Sequence, residues 1–363
     1  MKVLKKLAAI LLILVLMVSV VGCAQTPAQD VDEPEVPEDE SAQDIEGESE
    51  QEQEKPAVEI KKAVKKYPEF IIENTEEQVT YFDTRGEEIT VSKNPEKTVV
   101  LINSLLDLWY LSGGEAVARC SGTTNVPDAA ENIEIIGKFY SVSLEKLIAL
   151  EPDLVVVSST VSSQMEMEDV LAENGIEFAP VDASTSPYTN FDKNVYLFSQ
   201  ILGTNEIYET DVKEITGEVD EIIAKTEELE KTPSAIVLFS SSKYVKCELP
   251  TSLTGEMLDY LGVENIVADA QIEGSTKVDF SLERLIERDP DYIFVTTMGD
   301  VEECKARVEQ DIKSNEAWNS LTAVKEDRVY YLPKDLYLYK PNARYPEAFK
   351  GLAEIVYPEV FNN

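Results

Sequence analysis

The segment DLYLYKPNAR (335–344) places Tyr337, Tyr339, Lys340 and Arg344 within eight residues. Flat rings pack against a chelate or macrocycle at little entropic cost, and Lys and Arg balance anionic donors such as catecholate or carboxylate. Any one of these tyrosines could equally be a half-buried loop residue with its hydroxyl in water, so it is the grouping that points to ligand contact. A second signal is paired. SLEKLIALEPDLVVVSS (143–159) and SLERLIERDPDYIFVTT (281–297) agree at eight of seventeen positions, among them Glu145/Glu283, Pro152/Pro290 and Asp153/Asp291. A third is an absence: the chain has no histidine. That excludes a Ser-His-Asp or Cys-His engine, an HExxH zinc site and a His-ligated haem within this chain.

Each repeated phrase reads as a helix followed by a strand, with Ser143 and Ser281 as the N-caps. A capping box would put its Glu at the third helical position, which holds Lys146 and Arg284. The glutamates stand one place earlier, where they can point outward and pair with another protein. A glutamate in a first turn also complements the helix dipole, worth ~0.3–1 kcal/mol. Its recurrence in both halves favours docking.

The elements that must position these residues alternate. VTYFDTRGEEITVSKNPEKTVVLIN reads as a hairpin turning at Arg85-Gly86, then a strand from Thr98 to Ile102 whose apolar run suits burial on both faces. Helix and strand patterns then follow one another to about residue 190. A helical tract over 191–231 carries Ile207, Val212, Ile215, Val219, Ile222 and Ile223 at three- and four-residue steps, the stripe of a helix packed along one side. The alternation then restarts and runs to a last helix over about 342–356. This is an α/β chain of two Rossmann-like lobes, 76–190 and 232–363, with mainly parallel sheets, joined by one helical tract.

In open α/β sheets ligands gather beyond the carboxyl ends of the strands. Those loops supply Asn103, Ser104, Lys138, Phe139, Tyr140, Ser159, Thr160, Asp182 and Tyr188 in the first lobe. The second lobe supplies Ser241, Lys243, Tyr244, Thr297 and Met298, then Tyr337, Tyr339, Lys340 and Arg344.

Formal net charge is −38, and residues 24–56 carry thirteen Asp or Glu against one Lys. That segment has too little to bury to offset its ordering entropy and reads as part of an acidic disordered tether over 23–75. The remainder is acidic in its own right, which argues against nucleic acid. Lys2, Lys5 and Lys6 precede an apolar run, Leu7–Val21, too short for a confident membrane span; residues 1–22 read as a secretory signal. Cys120, Cys247 and Cys304 are widely spaced and form neither a disulfide framework nor a CxxC clip. No GxSxG, Walker or dinucleotide fingerprint follows a strand, so an enzyme is not expected.

Val20-Val21-Gly22-Cys23 resembles the lipobox of bacterial lipoproteins, which implies lipidation at Cys23 and an extracytoplasmic, membrane-anchored protein. From about Gln78 onward the chain resembles the helical-backbone (class III) substrate-binding proteins of ABC importers, the group that captures ferric siderophores, cobalamin, haem and, in some members, oxyanions. IGKFYSVSLEKLIALEPDLVVVSS, LGVENIV, FSLERLIERDPDYIFVTT, AWNSLTAVKEDRVYYLP and NARYPEAFKGLAEIVYPEVF match its pattern in order. The resemblance implies two lobes bridged by a single long backbone helix, here Ile207 to Lys231, a ligand cleft between them and modest closure on binding. It implies a monomer that docks through Glu145 and Glu283 on a two-fold permease with its ATPase. It also implies no intrinsic cofactor and no protein-held metal. A ferric siderophore suits a histidine-free cleft because its iron is already coordinated. A cobamide follows, then haem, which would need Tyr or Met as axial ligand, then molybdate or tungstate.

Overall fold

A computed structural model describes residues 70–362, apart from 231, 273 and 280. The expected signal segment, Cys23 and the tether up to residue 69 lie outside the described residues. Among the described residues, no helix is long and apolar enough to cross a membrane.

Strands β1 (Ile71–Asn74), β2 (Gln78–Phe82) and β3 (Glu88–Ser92) form an antiparallel sheet, with the hairpin turning at Arg85-Gly86. The first of these falls inside the stretch read as tether. Its signal is only Phe70-Ile71-Ile72, too brief to stand out against the acidic composition before it. Strands β4 (Thr98–Val100), β5 (Ala118–Arg119) and β6 (Glu134–Ile135) follow, then a two-strand hairpin, β7 (Gly137–Lys138) and β8 (Ser141–Val142). Strands β9 (Leu154–Ser158) and β10 (Glu177–Val181) complete the first lobe, whose sheet runs β10-β9-β4-β5-β6 with every pairing parallel. In the second lobe β11 (Ser234–Ser240), β12 (Val245–Glu248), β13 (Glu264–Asn265), β14 (Lys277–Asp279), β15 (Tyr292–Thr297) and β16 (Val329–Tyr331) form a mixed sheet. Its order is β14-β12-β11-β15-β16, with β13 also on β11; the β12 and β14 pairings are antiparallel.

Seven helices matter for the site: α1 (Asn103–Leu111), α2 (Leu144–Ala149), α3 (Pro187–Leu202), α4 (Lys213–Glu227), α5 (Leu253–Tyr260), α6 (Leu282–Arg288) and α7 (Tyr345–Val356). The duplicated phrase is α2 with β9 and α6 with β15. Ser143 and Ser281 are indeed the N-caps, accepting from Lys146 N and Arg284 N. The shared aspartate also does the same work twice. Asp153 accepts from Glu96 N (2.6 Å) and Lys97 N (2.9 Å), just ahead of β4, and Asp291 accepts from Ser234 N (2.9 Å), where β11 begins. In each lobe the residue opening one parallel strand therefore fixes the start of its neighbour, and with it the register.

Each sheet buries its outer face in its own cluster, around Val155, Val157 and Leu147 in the first lobe and Leu238, Val295 and Leu285 in the second. The inner faces share one core, which runs from Val100 and Val156 through Phe198, Val219 and Ile223 to Val237 and Phe294. Two helical runs carry it across. Asn205–Glu227 is continuous, with a π-helical turn at Tyr208–Val212 before α4. Its start meets the first lobe, where Thr204 Oγ1 donates to the Ser112 carbonyl, and its end meets the second, where Lys225 lies over the Phe361 ring.

The neighbouring α3 runs the other way. Glu256 of α5, buried, accepts from Tyr188 N (2.7 Å), Thr189 N (3.0 Å) and Thr189 Oγ1 (2.6 Å), satisfying the orphan donors of the helix start. At the other end the Ile201 carbonyl accepts from Asn94 N and Gln200 from Asn74 Nδ2. Two antiparallel struts pinned at both ends resist hinge bending more than one would. The helical tract begins at Pro187 rather than 191 because Ser186 adopts a left-handed φ of 43° that stops the loop, and proline at the first helical position starts the helix.

Candidate functional site

The carboxyl ends of the first lobe's strands are held together by one buried side chain. Gln164 accepts from Ser158 N (2.8 Å) and donates to the carbonyls of Leu101 (2.9 Å) and Phe139 (2.8 Å), joining the loops after β4, β7 and β9. The β7–β8 turn presents Phe139 and Tyr140, edge to face at 5.0 Å, with Lys138 over the Tyr140 ring. Gly137 allows this turn: its φ is +135°, and a Cβ there would lie 2.5 Å from the Ser141 carbonyl oxygen. Beside it Ser158, Thr160 and Ser184 form a chain of hydroxyls at 2.9 Å steps. Asp182 accepts from Ser184 N and from Thr185 N and Oγ1. Asn103 Oδ1 and Ser159 Oγ are buried without a hydrogen-bond partner.

The second lobe meets this wall through its last loop. Asn125 Nδ2 donates to the Lys340 carbonyl (2.8 Å), and Asn342 Nδ2 donates to the Ser104 carbonyl (3.2 Å) and Asp107 Oδ2 (2.7 Å). Between the lobes lies a narrow crevice lined by Ser104, Asp182, Asn190, Asn194, Lys340 and Asn342, with a void of about 10 Å³. It has room for about one water and cannot enclose a chelate. A large ligand must rest across it, between the walls. Burial pushes the Lys340 ammonium down to about 8, with Lys277 acting in the same direction and Asp182 against them.

On the second lobe's inner sheet face the register sets Phe239 beside Lys246 and Glu248 opposite Lys277. Lys277 lies 4.6 Å over the Phe239 ring, Tyr244 is tilted 6.1 Å from Phe239, and Lys246 is 5.4 Å over Tyr244. Lys277 is also close enough to Lys340 to weaken its hold on a proton, so the field of this ladder of alternating cations and rings extends to the lobe junction. Among the described residues Lys246 pairs only with exposed Asp279, at 3.9 Å. Ser241, Lys243 and Tyr244 form the tight turn above it, where Ser241 Oγ accepts from Lys243 N and Tyr244 N.

The structure thus brings Asn103, Ser104, Thr160, Asp182 and Lys340 together around the junction, with Lys138, Phe139 and Tyr140 on one wall and Tyr244 on the other. Four of the expected residues are engaged elsewhere. Tyr188 is 1% exposed and packs edge-on against Tyr260, Tyr345 and Phe349 at the start of α3. Tyr337 is 4% exposed and donates to the Ala348 carbonyl. Thr297 is buried at the end of β15. Arg344 is exposed but paired with Asp335 and Glu347, each 2.8 Å away. Met298 contributes its backbone, donating to the Ser240 carbonyl and accepting from Cys304 Sγ, while half-buried Tyr339 donates its N–H to the Lys334 carbonyl. The reading missed Phe239, Lys246, Lys277 and Asn342. Alternation in YVKCE marks Lys246 as sharing a strand face, but nothing local shows which face meets the other lobe.

Glu145 and Glu283 are both exposed at the second position of their helices, and among the described residues neither forms an ion pair. Residues 99–336 match the periplasmic binding protein family. The chain belongs to that family. It is a solute-binding protein and not an enzyme. It is 27% identical over 287 residues to the uncharacterized ABC transporter substrate-binding lipoprotein YvrC of Bacillus subtilis, covering 78% of this chain and 87% of that protein. Two solved structures share its two-lobed fold at 18% identity. Staphylococcus aureus SirA complexed with staphyloferrin B has a TM-score of 0.63, over 76% of this chain and 98% of that one. S. aureus IsdE complexed with heme has a TM-score of 0.62, over 72% and 98%.

Proposed function

We propose that this periplasmic binding protein captures an anionic metal chelate of the ferric-siderophore class outside the cytoplasm and delivers it to an ABC permease. The carrying observation is the ladder Lys246, Tyr244, Phe239, Lys277, which leads to Lys340 at the lobe junction of a chain whose net charge is −38. Cations gathered on one wall of so acidic a protein raise the local concentration of anions, and the rings offer flat surface to the ligand's organic shell. The chelate brings its iron already coordinated, so the protein has to supply only charge and shape. Attachment of Cys23 to lipid would keep this domain at the membrane, and exposed Glu145 and Glu283, matched across the lobes, would meet a two-fold permease.

Thermal-shift titration against ferric catecholate and ferric hydroxycarboxylate chelates, a cobamide, haem and molybdate tests the reading. Saturable stabilisation by a ferric chelate, without turnover, is expected. Stabilisation by the cobamide or haem alone would replace this ligand class with the other.

A further inference from the structure

We propose that Lys340 is the charge sensor of the cleft, through which the seating of an anionic ligand is coupled to uptake of a proton. This rests on reading the cleft as a site for an anionic chelate, and it adds how the site registers the ligand's charge.

The backbone holds Lys340 where it cannot retreat. Its carbonyl is bonded to Asn125, and two residues on, Asn342 is bonded to Ser104 and Asp107, so both sides of the residue are fixed to the opposite lobe. The side chain is half-buried and lines the crevice, and among the described residues its ammonium has no hydrogen-bond acceptor and no ion pair. A lysine placed so usually finds a carboxylate. Asp182, from the loop after β10 and the one acid among the described residues that acts on this ammonium, already holds Ser184 N and Thr185. Lys193 of α3 shares the field of Asp182, and Lys277 of β14 repels Lys340.

The folded protein thus keeps a cation short of partners at the floor of the cleft, and its proton is held to about 8 instead of the ordinary 10.5. An anion seated on the crevice adds the missing attraction and raises that value, so near pH 8 the half-protonated amine takes a proton from the buffer. A neutral ligand adds only desolvation and expels one. The sign of proton exchange therefore reports the charge of what is bound.

Calorimetric titration of the full chain with ferric tris-catecholate at pH 8.0, in two buffers of different ionisation enthalpy, measures this exchange. Uptake of ~0.5 proton per site is expected for the wild type. Lys340→Met should bind about tenfold more weakly with no proton exchange. Uptake that persists unchanged in the variant, or none in the wild type despite binding, overturns the proposal. If only a neutral cobamide binds, with proton release that Lys340→Met abolishes, the anionic-chelate reading fails and the sensor stands. If neither probe binds, melting temperatures without ligand decide. Between pH 8 and 10.5 the unfolded chain holds a proton that folded Lys340 has lost, so the wild type should gain stability relative to Lys340→Met as pH rises. Parallel curves overturn the assignment.

Discussion

Asn342 of the second lobe donates its side-chain amide to Asp107 of the first at 2.7 Å, from a position 1% exposed and with a left-handed φ of 49°. The backbone conformation and the amide make separable contributions. Glycine keeps the backbone and deletes the contacts to Asp107 and the Ser104 carbonyl, so Asn342→Gly should cost about 1–2 kcal/mol in urea unfolding. Asn342→Ala should cost about 1 kcal/mol more, because alanine tolerates the left-handed region poorly. Equal stability of the two variants would show that the backbone there is unconstrained.

Gln164, itself fully buried, satisfies three backbone groups, two of them in buried hydrogen bonds. Gln164→Leu has about the right volume and none of the hydrogen bonds, so it should lower stability by about 2–4 kcal/mol. The loss should also spread the loops carrying Phe139 and Thr160, weakening ligand binding. Amide hydrogen exchange at Ser158 is the direct check, and protection equal to the wild type would count against the strut.

Glu145→Ala and Glu283→Ala remove exposed charges that do not line the crevice. Each should leave ligand affinity and melting temperature unchanged, within about 0.5 kcal/mol, and reduce uptake of labelled ligand by cells or proteoliposomes. Loss of affinity in either variant would place these glutamates in the binding machinery instead of at the permease.

The thiols of Cys120 and Cys247 are pushed up to about 12 by burial, and Cys304 is fully buried with its Sγ donating to the Met298 carbonyl. Since the thiolate is the nucleophile, all three should resist an aromatic disulfide reagent at pH 8 and react in guanidinium. Fast modification of any of these three in the native protein would show an opening that this structure does not have.

The chain encodes its duplication locally. The spacing from Ser143 to Asp153, and again from Ser281 to Asp291, is enough to specify a capped helix, a turn and a buried strand, because capping and hydrophobic periodicity act within a few residues. The outward glutamates are legible for the same reason: a first-turn position with Lys146 or Arg284 beyond it has nowhere else to point. Even the lobes and the helical tract between them follow from apolar patterning.

The binding face is different. Tyr188 and Tyr337 carry the same chemistry in the sequence as Tyr140 and Tyr244, yet the first two are walled into the shared core and the others are not. Lys277 reaches Phe239 only because β14, β12 and β11 pair in one register, across 38 residues of chain. The order of capped helices and buried strands determined the two-lobed plan, since that depends on interactions between near neighbours, and the kind of protein came from resemblance to a known family. Which rings and cations look into the cleft was decided by packing between distant strands, because a side chain's exposure depends on what covers it, and the sequence near it does not contain that cover.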